Sequence, residues 1–96
     1  MLGMTDLLRQ AQEMQGKMAR MQEELAQRTV EGTAGGGIVR VACTGRQEIL
    51  SIEIDPAAVD PRDVPMLQDL ITAAANDALR RSREMMEKEM GALTGD

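Results

Sequence analysis

The stretch GTAGGGIV, residues 32–39, places four glycines in six positions and then turns abruptly apolar. Glycine runs of this kind either wrap a phosphate or reverse a chain, and the two readings lead to different folds. A phosphate loop needs G-x-x-x-x-G followed at once by Lys and then Ser or Thr, which hold the phosphates and a magnesium ion. Gly32 and Gly37 have that spacing, but Ile38 and Val39 occupy the two chemical positions. The dinucleotide fingerprint G-x-G-x-x-G starts at Gly35 and Gly37 and fails at Arg40. Either motif must also open a helix whose N-terminus faces the anion. IVRVACT follows instead, and it alternates like a strand. The run therefore reads as a turn requiring positive φ, which glycine adopts at little steric cost.

Working outward from that turn, the period stays at two. Val39, Val41 and Cys43 alternate with Ile38, Arg40 and Ala42, and Leu50, Ile52 and Ile54 alternate with Ser51 and Glu53. Such patterning predicts two half-buried strands, about 38–44 and 48–54, turned by Thr44-Gly45-Arg46-Gln47. Residues 29–33 form a third, shorter candidate, joined to Ile38 through the glycines. The middle of the chain is then an antiparallel meander with one covered face.

On either side the period changes. Met4, Leu7, Ala11, Met14, Met18, Met21 and Leu25 follow the alternating three-and-four spacing of a heptad stripe, which predicts a helix over about 5–27. Such a helix is about 35 Å long, more than a compact domain of 96 residues needs. Part of it is expected to project or to pair with a second subunit. Gly16 is a weak point inside it, costing about 1 kcal/mol relative to alanine. After the strands, three prolines in DPAAVDPRDVP (55–65) end the sheet. Asp60 before Pro61 has the form of a helix cap, but Pro65 fits better if Asp63 is the cap and the helix begins at Val64. That helix is expected to run over about 64–90, with Gly91 as its stop and GALTGD frayed. Leu67, Leu70, Ile71, Ala74, Ala75, Ala78 and Leu79 form its broad apolar stripe. The fold class is α+β, ordered αβββα, as one domain over residues 1–96.

Composition narrows the chemistry. There is no Phe, Tyr or Trp, so the core must come from aliphatic residues and nine Met. A domain this small buries a modest fraction of its surface. Two long amphipathic helices would leave apolar stripes uncovered, so a homodimer is expected. The absence of histidine removes the commonest metal ligand and the commonest neutral-pH base. A single cysteine, Cys43, rules out an internal disulfide and a cysteine-cluster zinc site. In its strand it reads as a small buried hydrophobe. No enzyme chemistry, metal, cofactor or small-molecule substrate is expected. MLGMTDLLRQ turns polar too early for a signal core, and no apolar run approaches the roughly 20 residues of a membrane span. A cytoplasmic protein with no membrane partner is the expectation.

The formal charge of −5 argues against a generic nucleic-acid binder, which is usually basic. Local basic groups nevertheless stand out. RRSR at 80–83 is the densest, and its three guanidiniums fall within one helical turn, where they could meet successive phosphates. The alternative is a solvated face with Arg80–Glu84 and Arg83–Glu87 as intrahelical pairs. On the first helix Arg9, Lys17 and Arg20 lie within roughly 80° of one another at about 3.6 residues per turn, although Glu13 and Glu24 share that sector. Asn76-Asp77 sits mid-helix, where either residue is somewhat unfavourable, so it is expected to bond to a neighbouring loop or to mark a subunit contact.

Four stretches together, LLRQAQEMQGKMARMQEELAQ, VEGTAGGGIVRV, ILSIEIDPAAVDP and MLQDLITAAANDAL, resemble the YbaB/EbfC family of bacterial nucleoid-associated proteins. Their order and spacing cover nearly the whole chain. The resemblance implies a homodimer of αβββα subunits with helix ends projecting as paired arms. It implies binding to duplex DNA with relaxed sequence preference, and an influence on nucleoid organisation and gene expression. Carried onto this sequence, the family's helical DNA contacts fall on Arg9, Lys17 and Arg20 in the first helix and on Arg80, Arg81, Arg83 and Lys88 in the last. The competing expectation is a protein-binding adaptor or chaperone-like dimer that uses its Met-rich helix faces.

Overall fold

The computed structural model describes residues 3–94. The elements are α1 (Met4–Gln27), β1 (Thr29–Ala34), β2 (Val39–Thr44), β3 (Ile49–Ile54), a short 3-10 turn at Pro56–Ala58, and α2 (Val64–Thr94). The strands form one antiparallel sheet in the order β1-β2-β3, with Gly32 opposite Val41 and Val41 opposite Ile52. The α+β class and the αβββα order expected from the periodicities are both present. The molecule is long and thin, 70 × 18 × 17 Å.

The glycine run divides into two parts. Gly35, Gly36 and Gly37 have φ of 63°, 71° and 98° and make the turn, closed by Gly37 N donating to Ala34 O (3.2 Å). Gly32 lies inside β1 and is buried, within the strand expected over 29–33 and outside the turn read from the glycine run as a whole. Its role is contact: a Cβ there would fall 2.1 Å from the Ala78 backbone nitrogen and 2.5 Å from the Ala74 carbonyl oxygen. Helix α2 therefore crosses β1 at backbone distance, through small residues on both sides. Val39, Val41 and Cys43 face the same helix and complete a core with Ala74 and Ala78.

The second turn joins three elements. Gln47 takes a positive φ of 64°, and its N–H donates to Thr44 O (3.1 Å). The Thr44 hydroxyl accepts from Arg46 N (3.1 Å) and Glu48 N (3.3 Å). Gly45 N donates to Leu25 O (2.9 Å), which docks the end of α1 against this turn.

Three expectations need correction. β3 was expected to be half-buried, but nearly all of it is exposed; Leu50 keeps 57% of its surface and Ile52 45%. The reason is coverage, because α2 packs on β1 and β2 and barely reaches β3. On α1 the heptad stripe buries only Met21 and Leu25, while Met4, Leu7, Met14 and Met18 stay exposed. Gly91 does not stop α2, which continues to Thr94 with the Thr94 hydroxyl donating to Met90 O (3.0 Å). Glycine ends a helix by adopting left-handed backbone, and it tolerates helical backbone at a cost of about 1 kcal/mol. The rest of the expected frayed tail, Gly95 and Asp96, lies outside the described residues.

The start of α2 follows the Asp63 reading. Asp63 Oδ1 accepts from Met66 N (3.2 Å), and Pro65 sits in the first turn where its missing N–H is harmless. Asp60 instead closes its own turn by accepting from Arg62 N (2.9 Å), which holds its carboxyl below the ordinary carboxylate range. Among the described residues no helix is long and apolar enough to cross a membrane.

Candidate nucleic-acid interface

The basic residues singled out on α1 share one face. Arg9, Lys17 and Arg20 line a shallow depression with Gln12, Glu13 and Gly16. Arg9 pairs with Asp6 one turn earlier (2.7 Å), and both side chains are well exposed. Exposed pairs of this kind hold weakly and yield to solvent. Lys17 and Arg20 take part in none of the ion pairs found among the described residues. They also border a cleft where the end of α2 passes α1, closed by Met21, Glu24, Glu89 and Leu93.

The RRSR cluster is not one patch. Ser82 is fully buried. Its hydroxyl donates to Thr44 O (2.7 Å) and accepts from Gln47 N (3.1 Å), pinning α2 to the β2–β3 turn. With Ser82 inward, a rotation of about 100° per residue puts Arg81 and Arg83 on opposite flanks and Arg80 outward. Arg80 and Arg81 nevertheless bend toward one carboxylate, that of Asp77, and Arg83 is left on the opposite flank.

Two of them are also engaged. Arg80 Nη2 pairs closely with Asp77 Oδ1, and Arg81 Nε with Asp77 Oδ2 (3.3 Å). Asp77 is mostly buried and accepts a further bond from Thr33 N in β1 (3.0 Å). The Thr33 amide and then the two arginines keep its carboxyl below the ordinary value of 3.8. This explains a carboxylate in mid-helix: it bonds a neighbouring strand. The anticipated Arg80–Glu84 and Arg83–Glu87 pairs are not among the ion pairs of the described residues; Asp77 takes Arg80 instead.

Arg83 and Lys88 are exposed. Lys88 joins Arg81, Glu31, Glu84 and Met85 around a depression that also includes Arg28. Sequence reading missed Arg28, which follows α1 and reaches Glu89 of α2 (2.9 Å). The available signal was topological: the residue joining α1 to an α2-packed strand must lie near α2. Arg9, Lys17 and Arg20 thus border one depression, and Arg81 and Lys88 another. Among the described residues no cluster of three or more His, Cys, Asp or Glu could hold a metal.

Residues 1–96 match the model of the YbaB/EbfC DNA-binding family, to which this chain belongs, a non-enzymatic class. The chain is 63% identical over 92 residues to a nucleoid-associated protein of Desulforamulus reducens, covering 96% of this chain and 88% of the relative. It is 57% identical over 93 residues to a nucleoid-associated protein of Pelotomaculum thermopropionicum, covering 97% and 89%. The fold matches the crystal structure of an uncharacterised protein from Helicobacter pylori with a TM-score of 0.85 at 18% identity, covering 97% of this chain and 98% of that one.

Proposed function

We propose that this protein is a nucleoid-associated, cytoplasmic protein that binds duplex DNA as a homodimer through basic residues on its helices. Through that binding it influences nucleoid organisation and gene expression. The observation that carries this reading is α1 itself. The end of α2 reaches only to the level of Lys17, so roughly 20 Å of helix, at about 1.5 Å per residue, extends past the body. Arg9, Lys17 and Arg20 lie along one face of that helix. DNA as the ligand is supported by the family match over residues 1–96 and by the relatives' names, and these three cations are the groups on α1 that can bind its phosphates.

Pairing of two copies is supported by apolar surface that one chain leaves open. The uncovered Leu50 and Ile52 of β3 and the exposed Met14 and Met18 of α1 are side chains that a second subunit would bury. A pair would carry a formal −10, twice the −5 of one chain. Binding must then come from local contacts against an unfavourable overall field, and counterion release makes it steeply salt-dependent. With no aromatic side chain to stack on unpaired bases, duplex backbone is the better substrate.

The test is fluorescence anisotropy with a duplex between about 50 and 200 mM salt. Arg9→Ala/Lys17→Ala/Arg20→Ala is expected to lose most of the binding and flatten the salt slope. Arg80→Ala/Arg81→Ala/Arg83→Ala and Lys88→Ala should lose less, because Asp77 already occupies two of those arginines. Unchanged binding in all three variants would move the contact elsewhere. No wild-type binding at low salt would sink the reading and favour an adaptor that uses the exposed Leu and Met face of α1.

A further inference from the structure

Asp77 holds partners of two kinds, a strand amide and two exposed arginines. Its bond from Thr33 N (3.0 Å) already explains why a charge sits in the middle of α2 next to β1. The same two oxygens also hold Arg80 and Arg81, whose side chains remain more than half exposed. We propose that Asp77 is an internal counterion that competes with DNA phosphate for Arg80 and Arg81 and so sets how tightly this protein binds duplex. The inference rests on the DNA-binding reading above and concerns which of its cations are available.

Three observations support the competition. First, Asp77 is anchored and the arginines are not. Its side chain is 14% exposed and tied to a strand, whereas the guanidiniums are 57% and 56% exposed on flexible stems. A phosphate approaching α2 can draw the arginines away, but the carboxylate cannot follow. Second, Asp77 stays ionised at every physiological pH, because the Thr33 amide and the arginines favour its charged form. Third, the arginine side of both pairs is open to solvent, which screens the hold of Asp77 on them, and a phosphate offers the same planar fork an equivalent set of acceptor oxygens. Exchange of one anion for the other is then close to balanced, which is the condition for a residue to tune affinity rather than abolish it.

Asp77→Asn separates the two roles. The amide oxygen of asparagine can still accept from Thr33 N, while the charge that holds Arg80 and Arg81 is gone. Removing any acidic residue reduces repulsion of DNA, so Asp69→Asn, which alters an exposed carboxylate two turns earlier on α2, is the control for net charge. In anisotropy titrations Asp77→Asn should bind duplex about threefold to tenfold more tightly than Asp69→Asn, as expected when two solvent-screened pairs are released. The slope of log affinity against log salt should steepen by up to about 0.9 for each arginine that gains a phosphate. In an Arg80→Ala/Arg81→Ala background the Asp77→Asn gain should shrink to that of Asp69→Asn. A gain no larger than that of Asp69→Asn in the wild-type background, or one that still exceeds it without the arginines, would overturn the proposal. If Asp77→Asn does not fold, the wild type gives the answer: the Arg81 Nε–H resonance should move on adding duplex, and an unmoved resonance in a DNA-bound protein overturns the proposal equally. Should neither wild type nor Asp77→Asn bind duplex at about 50 mM salt, the DNA reading itself fails and takes this inference with it.

Discussion

Gly32 and Ala78 approach so closely that a Cβ on Gly32 would lie 2.1 Å from the Ala78 backbone nitrogen. The obstacle is helix backbone, so no side-chain rotation relieves it. Gly32→Ala must push α2 off β1 and open the core formed by Val41, Ala74 and Ala78. Overpacking of this kind costs at least about 3 kcal/mol, at the upper end of the usual range. Urea denaturation checks this, and a Gly32→Ala protein as stable as wild type would mean that α2 does not sit on β1 at this distance.

That contact marks the limit of what the sequence alone could show. The period-two run Val39, Val41, Cys43 was legible because alternation reports which face of a strand is buried, and all three are in the core. The same alternation in β3 reported a face that needs covering without saying that this chain lacks the element to cover it. Gly32 was read with its neighbouring glycines because a strand glycine needed for close approach has the same letter as one needed for a turn. The site divides likewise. The basic residues were visible by type, but Ser82 pointing inward and Asp77 holding two arginines depend on how α2 is rotated against the sheet. Periodicity along Leu67–Leu79 hinted at that rotation without resolving individual side chains.

Ser82 shows what the rotation controls. Its hydroxyl is both the donor to Thr44 O and the acceptor from Gln47 N. Ser82→Ala removes both bonds that tie α2 to this turn but leaves Gln47 N–H bonded to Thr44 O, so the loss is that of ordinary hydrogen bonds, about 0.5–1.5 kcal/mol each. Because Ser82 faces away from solvent, the folded variant should bind duplex as wild type does. A lower melting temperature with unchanged DNA affinity is the expected pair of results. A selective loss of DNA binding would instead put Ser82 on the binding surface.

Cys43 is fully buried, and that burial raises its thiol pKa above the ordinary 9.0. The native protein should therefore resist a thiol reagent such as a maleimide at neutral pH, labelling only as it unfolds. The sign of the pH effect follows from proton binding. Above 9.0 the unfolded chain releases the thiol proton while the folded chain retains it, so the folded state binds more protons. Stability is then complete below that pH and declines as pH rises toward the higher folded-state pKa. Cys43→Ala should remove this alkaline contribution, at the cost of a small cavity. Denaturation midpoints at neutral and alkaline pH would show it; rapid labelling of the native protein would contradict the buried placement.

Gly91 offers the sharpest distinction between a helix that stops and one that continues. Helix α2 passes through it, and a Cβ built there would meet nothing within 4 Å. Gly91→Ala should therefore strengthen the last turn, with an intrinsic gain of about 0.8–1 kcal/mol. Had Gly91 held the left-handed backbone that terminates helices, the alanine would instead cost about 1–2 kcal/mol. The sign of the change thus separates the two conformations. Amide exchange at Met90 through Thr94, together with the far-ultraviolet helix signal, reads it directly. Slower exchange and more helix are expected, while faster exchange would mean that the helix ends at Met90 after all.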